Sequence, residues 1–156
     1  MITLHDSQVN LKVGDFGVAK VVTDSEYAGE LRSYYMGTAQ GTQLFMAPDV
    51  FDGCYTEKAD VFSMGLVYAA MWSGQSLQWK QKRFLGVIMV INGEYLPIGK
   101  AMQENKLDKY TVANGSNKVP KNIKKLIERM TAKYHHERPS AAQVARVLES
   151  KQCIIL

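Results

Sequence analysis

A chain of 156 residues with 46% hydrophobic and 22% charged residues has room for one domain and the composition of a globular protein, not a disordered one. Its formal net charge of +4 is mild, and the basic residues gather between Lys118 and Lys133 at helix-surface spacing, which reads as a solvated face and excludes nucleic acid as an expected partner. The two cysteines, Cys54 and Cys153, lie far apart, which excludes a disulfide framework and a metal-ligand spacing and fits a reducing intracellular compartment, cytoplasmic or nuclear.

Met1 to Leu4 and Val9 to Val13 read as two short strands, with the polar run His5-Asp6-Ser7-Gln8 as the hairpin turn between them. No basic stretch followed by an apolar one opens the chain, so no secretory signal is expected. Residues 18–40 hold no sustained period and carry Gly29 and Gly37, which predicts a long loop of the kind that is usually functional or mobile. From Lys58 to Trp72 a helix is predicted, with Asp60 as its cap and Gly74 as its stop. It is apolar nearly all round, and such a helix must be buried on all sides. A second helix is predicted over Gln81 to Ile91, ended by Asn92-Gly93. Neither apolar stretch, 61–72 or 84–91, is long and unbroken enough to cross a bilayer.

Residues 94–117 read as irregular, with one short helix near Lys100–Asn105. Lys121 to Lys133 forms an amphipathic helix in which Ile123, Leu126, Ile127 and Met130 recur at i, i+3, i+4 and i+7. The last helix begins at Ser140, with Gln143 three residues on as a capping box, and turns Val144, Val147 and Leu148 to the core.

Four short motifs follow one another in this chain. They are Asp15-Phe16-Gly17, Gly41-Thr42-Gln43-Leu44-Phe45-Met46-Ala47-Pro48-Asp49, Asp60-Val61-Phe62-Ser63-Met64-Gly65 and Glu137-Arg138-Pro139. Alone, Asp-Phe-Gly is a turn sequence. In this order and spacing the four resemble the second half of a eukaryotic serine/threonine protein kinase domain, and the resemblance runs from Met1 to Glu149. The Gly-Thr-x-x-aromatic-Met-Ala-Pro pattern sets it apart from tyrosine kinases. Lys58 to Gly65, with Leu96-Pro97-Ile98-Gly99-Lys100-Ala101, further resembles the LIM-protein-interacting (Clik) kinases.

The resemblance implies an α+β, mainly helical fold, the large C-terminal lobe of a kinase, lacking the N-lobe and the catalytic loop. Residues 1–149 would be the partial kinase domain, from just after the catalytic loop to the last helix, and 150–156 a C-terminal tail. It implies that Asp15 holds Mg2+ against the phosphates of ATP, that Phe16 sets the state of the loop and that Gly17 allows its turn. Gly41 and Thr42 would shape the substrate platform. Asp49, where the family has Glu, would pair with Arg138, and the shorter arm must approach more closely. Asp60 would bond the backbone of the catalytic loop. Val67 and Met71 match positions that support the adenine-side apolar column, although as residues they suit plain core packing equally.

Ser33, Tyr34, Tyr35 and Thr38 fall in the activation segment as phosphosite candidates, with ordinary surface hydroxyls as the other reading. The sequence contains no Gly-rich loop, no strand Lys that clamps phosphates, no His-Arg-Asp and no metal-binding Asn, so residues 1–156 by themselves are expected to transfer negligible phosphate and to bind ATP and Mg2+ weakly. His5-Asp6 lies in the hairpin turn and reads as an ordinary polar turn, not a relic of the catalytic loop. The expectation is a partial record or fragment of a longer kinase, with a non-catalytic interaction module acting through the 81–91 region as the alternative. A kinase neighbour that covers the apolar helix 61–72 lies upstream, and without it apolar area stays in water at a cost of about 25 cal/mol per Å2. Cys153-Ile154-Ile155-Leu156 fits a prenylation signal, with an apolar tail packed on the lobe as the other reading. A membrane is a partner only if Cys153 is prenylated. The partner otherwise expected is a protein, as substrate or as binding partner.

Overall fold

The computed structural model describes residues 2–5, 8–11, 43–53, 56–74, 76–79, 82–112 and 119–150, with side chains left aside at 2–11 and at 77, 79 and 82–85. The described elements, in chain order, are β1 (Ile2–His5), β2 (Gln8–Leu11), α1 (Pro48–Asp52), α2 (Lys58–Ser73), β3 (Ser76–Trp79), β4 (Lys82–Leu85), β5 (Ile88–Ile91), β6 (Glu94–Pro97), α3 (Ile98–Gln103), α4 (Lys121–Met130), a single 3-10 turn (His135–Glu137) and α5 (Ala141–Glu149). The strands form three separate two-stranded antiparallel ladders, β1-β2, β3-β4 and β5-β6. The result is an α+β architecture in which the helices carry the core.

β1 and β2 pair with Ile2 opposite Leu11 and His5 opposite Gln8, so the strands extend into what reads in sequence as a four-residue turn. The predicted loop at 18–40 lies outside the described residues.

The clearest departure from expectation is at 81–91. Instead of a helix the chain makes β4 and β5, separated by Gly86 and Val87. Asn92 and Gly93, expected to end that helix, form the tip of the β5-β6 hairpin with φ of 51° and 83°. Two successive positive φ angles make the two-residue turn whose twist matches antiparallel strands, and Asn-Gly is its preferred sequence. An uninterrupted apolar run has no period of its own, so it suits a strand as well as a buried helix. β6 and α3 likewise occupy part of the stretch expected to be irregular, and α3 begins at Ile98, ahead of the expected Lys100.

α2 contributes to both core clusters of the described residues. Ala59, Phe62, Leu66, Ala69 and Ala70 lie in one core cluster with Val87, Ile98, Met102 and Ile127. Val61 joins a second cluster with Leu126, Met130 and Val144. Burial on all sides does not hold: Met64, Val67 and Met71 are 43%, 37% and 61% exposed. These positions, spaced i, i+3 and i+7, form one apolar stripe facing solvent. The helix starts at Lys58, ahead of the expected cap Asp60, which sits exposed in its first turn. There a negative charge complements the helix dipole without capping the helix. Thr56 Oγ1 accepts from the Lys58 N–H at 3.3 Å. Gly74, at φ 63°, ends the helix in the left-handed conformation that its sequence predicts.

α4 buries Ile123, Leu126, Ile127 and Met130, the four positions its period singles out. It ends at Met130, short of Lys133. α5 carries the capping box of Ser140 and Gln143 with both hydrogen bonds made. α2 and α4 close on each other at Gly65, where a Cβ would stand 2.8 Å from Thr131 Cγ2 and 2.9 Å from Met130 Cβ. Among the described residues, no helix is long and apolar enough to cross a membrane.

Gly65→Ala should therefore destabilise the protein by about 1 kcal/mol, because overpacking in a tight core costs about 1–3 kcal/mol and the helix-propensity gain of alanine returns part of it. Urea unfolding measures the difference. Tyr110 offers a test of burial by pH. Desolvation pushes its phenol up to about 12, whereas an unfolded tyrosine titrates near about 10. Stability should be retained below about pH 10 and fall as pH rises toward about 12, since the unfolded chain releases its proton first. Tyr110→Phe should remove that part of the decline, read as a difference in unfolding midpoint between pH 8 and pH 11.

Candidate functional site

The described functional region is built around Arg138. Its side chain is fully buried, an unusual place for a guanidinium unless every donor is occupied. Nε donates to the Ala132 carbonyl at 2.9 Å, and Nη2 to the Lys133 carbonyl at 2.9 Å. Nη1 donates to the Lys58 carbonyl at 3.3 Å, and Lys58 Nζ donates back to the Arg138 carbonyl at 2.9 Å. Nη2 also meets Asp49 Oδ1 at 2.5 Å. The guanidinium carbon lies 5.0 Å from the centre of the Phe62 ring, a cation-π distance. One residue thus joins the start of α2, the first turn of α1 and the turn after α4.

Asp49 is the acidic end of the Gly41–Asp49 stretch. It sits in the first turn of α1, which Pro48 opens and Gly53 closes at φ 76°. Its Oδ2 is buried and has no hydrogen-bond partner among the described residues. The short side chain brings one oxygen to the guanidinium and leaves the other unpaired, a cost of about 1–3 kcal/mol.

The segment before α1 is held at further points. Ser63 Oγ, on α2, donates to the Phe45 carbonyl at 2.8 Å. On the other side α3 comes against Met46 and Ala47 through Gly99. Gln103 Nε2 donates to Asp52 Oδ1 at 3.0 Å. Lys100 Nζ lies 5.3 Å from the centre of the Phe51 ring and 2.8 Å from Gln103 Oε1. At the end of α3 the exposed Glu104 bonds Lys106 at 2.6 Å, and that contact holds its carboxyl below the usual range.

Of the residues singled out in sequence, Asp49 and Arg138 are brought together, and Asp60 stands apart from them on the exposed side of α2. Asp15, Phe16, Gly17, Ser33, Tyr34, Tyr35, Thr38, Gly41, Thr42 and Cys153 lie outside the described residues. Among the described residues no group of three His, Cys, Asp or Glu could hold a metal ion. Sequence reasoning missed Lys58, Ser63 and Gly99 as parts of this region. The signal for Ser63 is a hydroxyl inside an otherwise apolar helix; for Gly99 it is a glycine where a helix begins.

Replacing Arg138 by Leu should lower stability by about 3–5 kcal/mol, because it removes the partner of the Asp49 carboxylate and the donors that serve three backbone carbonyls. Arg138→Lys should recover little of this, since one ammonium cannot serve three carbonyls and a carboxylate spread along a planar fork. Equilibrium unfolding in urea checks both.

The family model of the protein kinase domain matches residues 2–147. A probable serine/threonine-protein kinase of Dictyostelium discoideum is 30% identical over 157 residues, covering 94% of this chain and 8% of that protein. A proline-rich receptor-like protein kinase of Arabidopsis thaliana is 26% identical over 152 residues, covering 94% of this chain and 22% of its own length. A dual specificity protein kinase of Dictyostelium discoideum is 29% identical over 147 residues, covering 94% of this chain and 24% of its own. The chain thus spans from 8% to 24% of the length of these relatives. With the matched region running through the Asp49–Arg138 pair and the helices that hold it, the chain belongs to the protein kinase domain family.

Proposed function

We propose that residues 1–149 form the large-lobe part of a serine/threonine protein kinase domain, from just after the catalytic loop to the last helix, and that 150–156 form a tail. The parent domain transfers the γ-phosphate of ATP to Ser or Thr of protein substrates. The observation that carries this reading is the Arg138–Asp49 pair, which ties the stretch ending in Asp49 to the segment after α4 across 89 positions of sequence. That tie holds still a loop that must present itself to an extended peptide, and phosphoryl transfer depends on such positioning more than on covalent chemistry by the protein. The exposed stripe of Met64, Val67 and Met71 supports the same reading, because it leaves room for elements of a larger domain on the free side of α2.

In this reading Asp15 holds Mg2+, Phe16 and Gly17 set the conformation of the loop, and Gly41 and Thr42 shape the platform for the substrate. Ser33, Tyr34, Tyr35 and Thr38 are the candidate phosphosites of the activation segment. ATP and Mg2+ belong to the parent domain, and residues 1–156 alone hold neither tightly. Within the family, the likeness of Lys58–Gly65 and Leu96–Ala101 to the LIM-protein-interacting kinases is part of the proposal. A second reading, a non-catalytic interaction module, is favoured by Val90 and Tyr95. They are cross-strand partners on the β5-β6 hairpin and are 61% and 75% exposed.

Transfer of radiolabel from ATP with Mg2+ to a generic Ser/Thr substrate separates the two. Residues 1–156 alone should give none. A longer chain that carries the Gly-rich loop, the strand Lys, His-Arg-Asp and Asn ahead of Met1 should transfer label, and Asp15→Asn should lower its rate at least about 100-fold. Transfer by residues 1–156 alone would overturn the first reading, and a longer chain that transfers nothing would favour the second.

A further inference from the structure

We propose that Gly99 is a positioning residue for the substrate platform, setting the depth at which the Met46–Ala47 backbone lies; this rests on the kinase reading above. Gly99 is the second residue of α3, a short helix of six residues. Its conformation does not require glycine, since the described glycines with positive φ are Gly53, Gly74 and Gly93. The reason is space. A Cβ on Gly99 would overlap the Met46 carbonyl oxygen and stand 3.0 Å from Met46 C and 3.2 Å from Ala47 C.

All three obstructing atoms are backbone. A crowded side chain can swing away, but a crowded peptide can only be displaced together with the residues attached to it. Met46 and Ala47 lead directly into Pro48 and Asp49. On the far side these residues are already pinned, by Ser63 to Phe45 and by Arg138 to Asp49. α3 is in turn fastened to α1 through Gln103 and Asp52 and through Lys100 and Phe51. A side chain at 99 therefore has two outcomes: it levers α3 off α1, or it pushes the 46–47 peptide toward α2. Either one moves the Met46–Ala47 backbone that leads into Asp49, and displacement of a substrate-positioning segment by about 1 Å is enough to cost about 100-fold in rate.

The test compares the full-length protein that carries this sequence with its Gly99→Ala and Gly65→Ala variants. Amide hydrogen exchange and phosphotransfer to a mixed Ser/Thr peptide library are read on each. Gly99→Ala should speed exchange across 46–51 at least ten-fold and leave 121–130 unchanged, with KM for peptide rising about ten-fold and KM for ATP unmoved. Gly65→Ala should lower the melting temperature and speed exchange at 121–130 without raising KM for peptide. Unchanged exchange at 46–51 in Gly99→Ala would overturn the proposal by itself. Faster exchange with an unchanged peptide KM would overturn the positioning role and leave the kinase reading standing. A wild-type full-length protein that transfers no phosphate would overturn the kinase reading, and with it the platform that Gly99 serves.

Discussion

A permanently charged guanidinium in a dry interior is the constraint around which the described structure is arranged. Arg138 cannot shed its charge and cannot reach water, so the chain must bring acceptors to it. Three of them are backbone carbonyls, at Lys58, Ala132 and Lys133, and the fourth is the Asp49 carboxylate. Carbonyls are placed by the path of the chain, so satisfying them fixes where α2 begins and how the turn after α4 runs. The carboxylate then fixes the first turn of α1. Such a buried pair adds little net stability compared with an apolar substitute of the same shape. What it supplies is registry: a short helix of five residues, too short to persist alone, is locked to elements far away in sequence.

α2 provides the floor on which this happens. Its small residues, Ala59, Gly65, Ala69 and Ala70, let neighbours approach closely, and its large ones, Phe62 and Leu66, fill the centre of the core. Phe62 does two jobs at once, packing the core and offering its ring to the guanidinium. Ser63 is next along the helix and turns to the other side, toward the Phe45 carbonyl. These two contacts, to the Arg138 guanidinium and to the Phe45 carbonyl, arise from adjacent residues of one helix, because successive residues point about 100° apart.

Much of this was legible in sequence where period and capping are unambiguous. α4 shows its buried face through Ile123, Leu126, Ile127 and Met130, and α5 announces its start through Ser140 and Gln143. The stretch 81–97 was not legible. An unbroken apolar run suits either a helix or a strand, and only the Asn92-Gly93 pair, read as a helix end, pointed to the hairpin. Of the candidate site, the partnership of Asp49 with Arg138 was implied by the family resemblance, but its single-oxygen geometry was not. A hydroxyl at Ser63 and a glycine at Gly99 stand out in their helices, but neither names its partner. Their roles depend on which carbonyl happens to face them.

The order of four short motifs determined the family by itself, because each motif is a set of residue types at fixed spacing and spacing is a property of the chain. Period likewise determined that α4 is a helix, capping that α5 is one, and the length of the apolar run ahead of Gly74 that α2 is one. Tertiary structure alone decided which face of α2 stays in water, that Asp49 offers only one oxygen, and that α3 meets Met46 across a glycine. Those outcomes depend on distances between residues remote in sequence. A pattern of residue types states what a position prefers, and only packing states what lies opposite it.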